Sequence, residues 1–150
     1  MAFGNIVVAV DGSEASQEAL NHAVDLARQS NSALTGLFVL DSGWPDFIGN
    51  DWQSSRNSRQ GFLDYIHAEQ KQQADAAAEQ FAGATQSAAN CKFLVLAGDP
   101  VAVLLEQTKD QNTDLLILGQ RTFQVSGRPS LKSLARKVAT NPRIPVMLFP

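Results

Sequence analysis

The segment Asn5–Glu14, NIVVAVDGSE, contains the pattern from which the fold can be predicted. Its first six residues, NIVVAV, form a short run rich in β-branched residues, without polar alternation. This composition is typical of a strand buried on both faces of a parallel sheet. Ser13 then suits a helix N-cap, and Glu14 suits a first helical turn. The segment therefore predicts a strand, a tight turn at Asp11–Ser13, and a helix.

Similar short apolar runs recur along the chain, separated by helical patterns. They cover the ranges Ala33–Leu40, Lys92–Gly98, Asp114–Gly119 and Ile144–Phe149. Strands that alternate with helices pair in parallel through right-handed crossovers. We therefore predict one α/β domain over residues 1–150, an open doubly wound sheet of five parallel strands with four helices on both faces. Ligands of such sheets bind beyond the carboxyl ends of the strands, which makes the following residues candidates: Asp11, Asp41, Gly98 and Gly119.

Residues 41–60 break the regular alternation. They contain both tryptophans of the chain, Trp44 and Trp52, together with many small polar residues. A loop of this length in a compact domain is usually functional or mobile. Two interpretations stay open, a lid over the site or a variable surface excursion packed on the domain, and we favour the second. The helix expected next, over about Gly61–Phe81, has a thin apolar face and is predicted to be mainly solvated, with little functional information.

The composition excludes several classes of function. One cysteine and two distant histidines offer no disulfide and no cluster with metal-ligand spacing. No apolar run approaches the roughly 20 residues needed to cross a bilayer, and the first residues lack the basic start of a signal peptide. We therefore expect a cytoplasmic protein with no metal site and no membrane association.

Charge is distributed unevenly along the chain. Residues 115–150 carry six basic side chains and no acid, or +6, whereas residues 1–114 carry six basic side chains and all 15 acids, or −9. A basic loop that leads into a helix favours a small anionic ligand, because free N–H groups and the helix dipole add to the side-chain charge. Nucleic acid is a poor candidate partner, since the net charge is −3 and no aromatic residues alternate with the basic ones.

Four segments together resemble the universal stress protein family, and the resemblance covers the chain outside residues 41–90. They are IVVAVDGSEASQEALNHAVDLA, GDP, TDLLILG and SLKSLARKVATNPRIPVMLF, at Ile6–Ala27, Gly98–Pro100, Thr113–Gly119 and Ser130–Phe149. The resemblance implies a Rossmann-like sheet of order 3-2-1-4-5 and a stress-response function. It also implies a homodimer formed through the last strand, which would place Ile144, Val146 and Leu148 at the dimer edge.

Many members of this family bind ATP through a Gly-x-x-Gly loop, nine further residues, and a Gly-Ser or Gly-Thr pair. The resemblance implies that Asp11, with Ala9 and Val10 beside it, meets the adenine and ribose end, and that Val39 contacts the base. Gly119 matches the first glycine and Ser133 the final hydroxyl residue. The second and third glycines, however, are replaced by Thr122 and Lys132.

The missing glycines make ATP binding doubtful on physical grounds. Glycine allows a positive φ and a close approach of phosphate to the backbone, which the β-branched Thr122 resists. Either the loop keeps its conformation under strain, or it is built differently, which we favour. Weak or altered binding of ATP, another adenine nucleotide or another anion stays the alternative. The candidate nucleotide- or anion-binding site comprises Ala9, Val10, Asp11, Val39, Gly98, Gly119, Arg121, Arg128, Lys132, Ser133 and Leu134.

Catalysis has little support in the sequence. No histidine or cysteine follows a strand, and no Gly-x-Ser-x-Gly elbow is present. We therefore predict no catalytic residue, and a stress-response protein that acts through protein contacts or small-ligand sensing. Slow nucleotide hydrolysis is the alternative, and it would have to use Asp11 or Asp41 as its carboxylate.

Overall fold

The computed structural model describes residues 4–50, 56–86, 88, 90–110, 112–123, 134–140 and 143–150. Within them, five parallel strands form a single sheet of order β3-β2-β1-β4-β5. The strands are β1 Asn5–Ala9, β2 Ala33–Asp41, β3 Cys91–Gly98, β4 Leu115–Gly119 and β5 Val146–Phe149. The predicted strand order is confirmed, and β3 and β5 are the edge strands.

Five helices lie within the described ranges: α1 Glu14–Ser30, α2 Trp44–Ile48, α3 Arg56–Ala84, α4 Pro100–Asp110 and α5 Leu134–Thr140. Helix α1 packs against α3, and α4 packs against α5, so that helices cover both faces of the sheet. The structure adds the short α2 to the four helices expected. This helix lies in the segment predicted as a loop, and Pro45 at its first turn suits a helix start.

The middle strands make up the core, since all five residues of β4 and four of the five in β1 are buried. Register places Val8 beside Gly36 on one side and Ile117 on the other. Parallel neighbours in this register bring the ends of β1, β2 and β4 to one edge of the sheet. The candidate site lies at this edge.

The long helix α3 is more closely integrated into the core than its sequence suggested. It begins at Arg56 and buries Gln70, Ala74, Ala77 and Phe81. A Cβ built on Gly36 of β2 would lie 2.5 Å from the Phe81 ring, so the glycine makes room for this aromatic side chain. Most of the helix is exposed or half-buried, as predicted, and its thin buried face includes Gln70 and Ala74 beside the expected Ala77 and Phe81.

Candidate functional site at the carboxyl edge of the sheet

The turn after β1 is held by a compact hydrogen-bond network. Ser13 caps α1 by accepting a bond from the Ser16 N–H, and Ser16 Oγ accepts one from the Asp11 N–H at 3.0 Å. Gly12 adopts φ +84°, and a Cβ there would lie 3.0 Å from Ala76 Cβ of α3. Glycine is required at this position both for its backbone conformation and for the close approach of α3.

Asp11 is 3% exposed, and both of its carboxylate oxygens accept hydrogen bonds from the protein itself. Oδ1 accepts from the Ser13 N–H at 2.9 Å and from the Ser13 hydroxyl at 2.5 Å. Oδ2 accepts from the N–H of Phe123 at 2.8 Å. Asp11 thus joins the end of β1 to the chain that follows β4.

The turn after β4 is closed by Thr122. Its hydroxyl oxygen accepts a bond from the Gly119 N–H at 2.9 Å, and its own N–H donates to the Gly119 carbonyl at 3.1 Å. The side chain is 1% exposed. The φ of Thr122 is not positive, so this residue carries none of the strain considered for it. Within the described turn Gly119–Phe123, the Thr122 hydroxyl oxygen is thus the acceptor for the Gly119 N–H.

The left-handed conformation falls instead on Phe123, which has φ +67°. An aromatic residue is uncommon in this region and needs support from its surroundings. Phe123 receives this support, because its N–H bonds to Asp11 and its ring packs edge-on against Phe38 of β2 with centroids 5.6 Å apart. The side chain is 4% exposed and belongs to the hydrophobic core. Phe123 therefore fills space between the ends of β2 and β4.

A residue of α3 completes the network. Gln80 Oε1 accepts from the Ser16 hydroxyl at 2.7 Å, and Gln80 Nε2 donates to the Ser13 carbonyl at 2.9 Å. One amide side chain thereby fixes the cap of a helix more than sixty residues earlier in the chain. Sequence reasoning missed Ser16, Gln80 and Phe123, because no local pattern marks contacts between segments so far apart.

The structure brings together only part of the predicted site. Ala9 ends β1 and Val10 and Asp11 follow it, while Gly119 ends the adjacent strand β4, and Val39 is buried in β2. Gly98 lies at the end of β3, where φ +152° and a Val103 methyl group 2.7 Å from a built Cβ explain the glycine structurally. The remaining positions are an exposed Arg121, a buried Leu134, and three residues outside the described part of the chain: Arg128, Lys132 and Ser133.

The residues proposed for the dimer edge lie at the free side of β5. Val146 and Leu148 are half-buried in the strand, and Ile144 precedes it. All three pack against the core, whereas Met147 between them is 38% exposed. Met147 is therefore the most exposed apolar side chain of β5, and the dimer edge at Ile144, Val146 and Leu148 stays a prediction.

Burial raises the pKa of the Cys91 thiol above its ordinary value, although the positive charge of Arg28 acts in the opposite direction. Cys91 opens β3 and is remote from the site. Among the described residues no three His, Cys, Asp or Glu side chains group as metal ligands. Within the same ranges no helix is both long and apolar enough to span a bilayer.

The sheet order and the network at the ends of β1 and β4 define a doubly wound α/β protein with its candidate site at the switch in strand order. The chain belongs to the universal stress protein family, whose model matches residues 2–150. This finding confirms the family resemblance and, with it, a stress-response protein.

Individual relatives are distant but similar over their full length. The universal stress protein YxiE of Bacillus subtilis is 26% identical over 157 residues, covering 97% of this chain and 98% of its own. The structure of the universal stress protein UspA from Lactobacillus plantarum is similar with a TM-score of 0.71 at 24% identity, covering 100% and 99% of the two chains. A universal stress protein from Archaeoglobus fulgidus, solved in complex with dAMP, gives 0.63 at 20% identity, with 100% of each chain covered.

Proposed function

We propose that this universal stress protein acts as a homodimer through protein contacts or by sensing a small ligand, with ATP bound weakly or not at all. The observation that carries the proposal is the hydrogen bond from the Phe123 N–H to Asp11 Oδ2 at 2.8 Å. The family resemblance assigns this carboxylate to the adenine and ribose end of a nucleotide, but here it accepts a hydrogen bond from the protein's own backbone.

The described residues do not fit a nucleotide in the arrangement they adopt. Asp11 is 3% exposed and accepts three protein hydrogen bonds, so only one acceptor position, on Oδ2, is left for a ribose hydroxyl, and burial opposes access to it. The Gly119 N–H, which a phosphate oxygen could otherwise approach, donates to the Thr122 hydroxyl. Phe123 lies in the core against Phe38, and moving it would expose an apolar ring. These costs oppose nucleotide binding.

Binding of an adenine nucleotide is the second candidate function. It is supported by the relative solved with dAMP and by the presence of Asp11 and Gly119 at the matching positions. The basic side chains Arg121, Arg128 and Lys132 would then replace glycine N–H groups as phosphate ligands. This candidate requires the turn at Thr122 and Phe123 to rearrange on binding.

Dimer formation through β5 is supported by the composition of the two sheet edges. The strand VMLF contains no charged residue and exposes Met147. The other edge strand, β3, carries an exposed Lys92, and a lysine on an edge strand discourages pairing with another chain. The β5 edge is therefore the better surface for a second copy.

No enzymatic role is proposed, because the Asp11 carboxylate is buried and accepts hydrogen bonds from Ser13 and Phe123, which commits it to the framework of the site. A cytoplasmic location stays a prediction from the sequence.

Calorimetry with protein stripped of carried-over ligand tests the proposal. We expect ATP to bind with a dissociation constant weaker than about 100 μM, if at all. The Asp11→Ala variant serves as the control, since it removes the carboxylate that a bound nucleotide would contact. Micromolar binding that is lost in Asp11→Ala would overturn the proposal in favour of the nucleotide-binding candidate, and native mass spectrometry of the same sample reports the oligomer.

A further inference from the structure

The backbone of β5 presents two residues to the free edge of the sheet. The carbonyls of Pro145 and Phe149 accept hydrogen bonds from N–H groups of β4 and of the residue after it, at 3.1 and 2.7 Å, and therefore point towards β4. Backbone groups of residues two apart in a strand point to the same side, so those of Met147 also face β4. Val146 and Leu148 direct their N–H and C=O groups to the opposite side, where no strand of the described chain pairs with them.

The side chains of β5 alternate between the two faces of the sheet. Phe149 stacks on His22 of α1, with ring centroids 4.6 Å apart and an angle of 19° between the planes. Met147 lies two residues earlier, so it shares the α1 face, and its side chain is 38% exposed. Val146 and Leu148 lie on the other face and are half-buried. The strand therefore has its most exposed apolar side chain on the α1 face and its unpaired backbone groups at the edge.

Symmetry restricts how a second copy of the chain can pair with this edge. A two-fold axis perpendicular to the sheet reverses the direction of the strand and keeps each face on its own side, so β5 pairs antiparallel with its copy. Residues directly opposite each other in an antiparallel pair point to the same face. A residue on the α1 face must therefore lie opposite another residue on the α1 face. The axis consequently passes through a residue of β5 and not between two residues.

The proline that follows β5 distinguishes the possible positions of the axis. An axis through Leu148 would place Pro150 of the second copy opposite Val146, whose carbonyl would lack a donor because proline has no N–H group. An axis through Phe149 would leave Leu148 in the same situation. An axis through Val146 would place Leu148 opposite a residue that precedes the strand. An axis through Met147 lets Val146 of each copy exchange both of its outward hydrogen bonds with Leu148 of the other.

We propose that two copies of the chain pair their β5 strands antiparallel about a two-fold axis through Met147. This inference rests on the homodimer of the proposed function and specifies its geometry. Val146 of one copy and Leu148 of the other form the hydrogen-bonded pairs, and the two Met147 residues form a pair without hydrogen bonds, with Cα atoms about 4.5 Å apart. The Met147 side chains then cover each other on the α1 face, between the two Phe149 rings.

Disulfide formation between introduced cysteines tests the position of the axis. Cys91→Ser provides the background, because Cys91 is the only cysteine of the chain. With Met147→Cys in this background, treatment with diamide should shift the protein to twice the monomer mass on a denaturing gel without reductant. The reason is that Cα atoms about 4.5 Å apart lie within the roughly 4.4–6.8 Å that a disulfide spans. Val146→Cys and Leu148→Cys are the matched controls, and each alone should stay at the monomer mass, because neither residue lies opposite its own copy.

Amide hydrogen exchange provides a second measurement, on the chain without substitutions. The N–H groups of Val146 and Leu148 should exchange more slowly as the protein concentration rises through dimer formation, because they gain acceptors in the second copy. Exchange at Met147 should change less, since its N–H faces β4 in the single chain.

Sedimentation velocity of the parent protein separates failure of this geometry from failure of the homodimer. A parent that sediments as a dimer, together with Met147→Cys that does not cross-link, would overturn the axis position and leave the homodimer in place. Cross-linking of Val146→Cys or Leu148→Cys in place of Met147→Cys would likewise assign the axis to another residue. A parent that stays monomeric at every concentration would overturn both proposals.

Discussion

The N–H of Phe123 donates to Oδ2 of Asp11 at 2.8 Å, across 112 residues of sequence, and this bond ties the end of β4 to the end of β1. Together with the bonds from Ser13, it makes the Asp11 carboxylate part of the framework at this edge of the sheet. The same bond supports the left-handed backbone of Phe123 and holds its ring against Phe38.

Replacement of Asp11 by alanine should lower the free energy of unfolding by about 1–3 kcal/mol, because it removes the acceptor of a buried N–H and of the Ser13 donors. Urea denaturation monitored by circular dichroism measures this loss. The exposed Asp75 offers a control, since Asp75→Ala should stay within about 0.5 kcal/mol of the parent. Equal stability of the two variants would contradict the framework role of Asp11.

The role of the Thr122 hydroxyl in closing the turn after β4 can be tested with two substitutions that change the side chain little in size. Thr122→Val keeps the shape but leaves the Gly119 N–H without its acceptor, and should cost about 1–3 kcal/mol. Thr122→Ser keeps the hydroxyl and should cost about 0.8 kcal/mol for the lost methyl group. Thermal and urea unfolding of both variants measure the difference. A valine variant as stable as the serine variant would show that the hydroxyl does not close this turn.

The Gln80 side chain should stabilise the start of α1 from a distance. Gln80→Ala removes two hydrogen bonds and leaves the Ser13 carbonyl without this donor, so we expect a loss of about 1–3 kcal/mol. Amide hydrogen exchange should show faster exchange at Ser16 and Gln17 than in the parent. Gln72 is exposed on the same helix, and Gln72→Ala should change neither quantity. Unchanged exchange at Ser16 and Gln17 in Gln80→Ala would contradict this stabilising role of Gln80.

The two sheet edges allow a matched test of dimer formation. Met147 in β5 is 38% exposed and Val95 in β3 is 44% exposed. Met147→Lys should raise the dissociation constant of the dimer by at least about tenfold, because two like charges would meet across a two-fold axis. Val95→Lys should leave it unchanged. Sedimentation velocity over a range of concentrations provides the measurement, and dissociation by Val95→Lys alone would assign the interface to the opposite edge.

Cys91 should react slowly in the native protein. Burial raises the pKa of its thiol, so less thiolate is present at neutral pH and alkylation by iodoacetamide should be slower than in urea. Arg28 favours the thiolate, and Arg28→Gln should therefore shift the pH profile of alkylation to higher pH. Mass spectrometry follows the modification. A profile shifted to lower pH in this variant would contradict the assigned charge effect.

The predicted fold agrees with the structure because its signals are local. Five short apolar runs separated by helical patterns predict a parallel sheet wherever they occur in the chain, and the structure places strands within two residues of each predicted range. The order 3-2-1-4-5 came from the family resemblance and is also observed. The sequence predicted helix α3 least accurately, because its buried face depends on how Phe81 fits over Gly36 of β2.

The sequence by itself determined that Asp11 and Gly119 lie at the carboxyl ends of two strands, and its resemblance to the family showed that Thr122 stands where the family loop has glycine. Only the tertiary structure decided what these residues do. Whether the Asp11 carboxylate is available depends on Phe123, and the geometry of its turn depends on Gln80, residues that lie 112 and 69 positions away along the chain. Hydrogen bonds of this kind form only after the sheet has brought the strand ends together, so no local pattern encodes them.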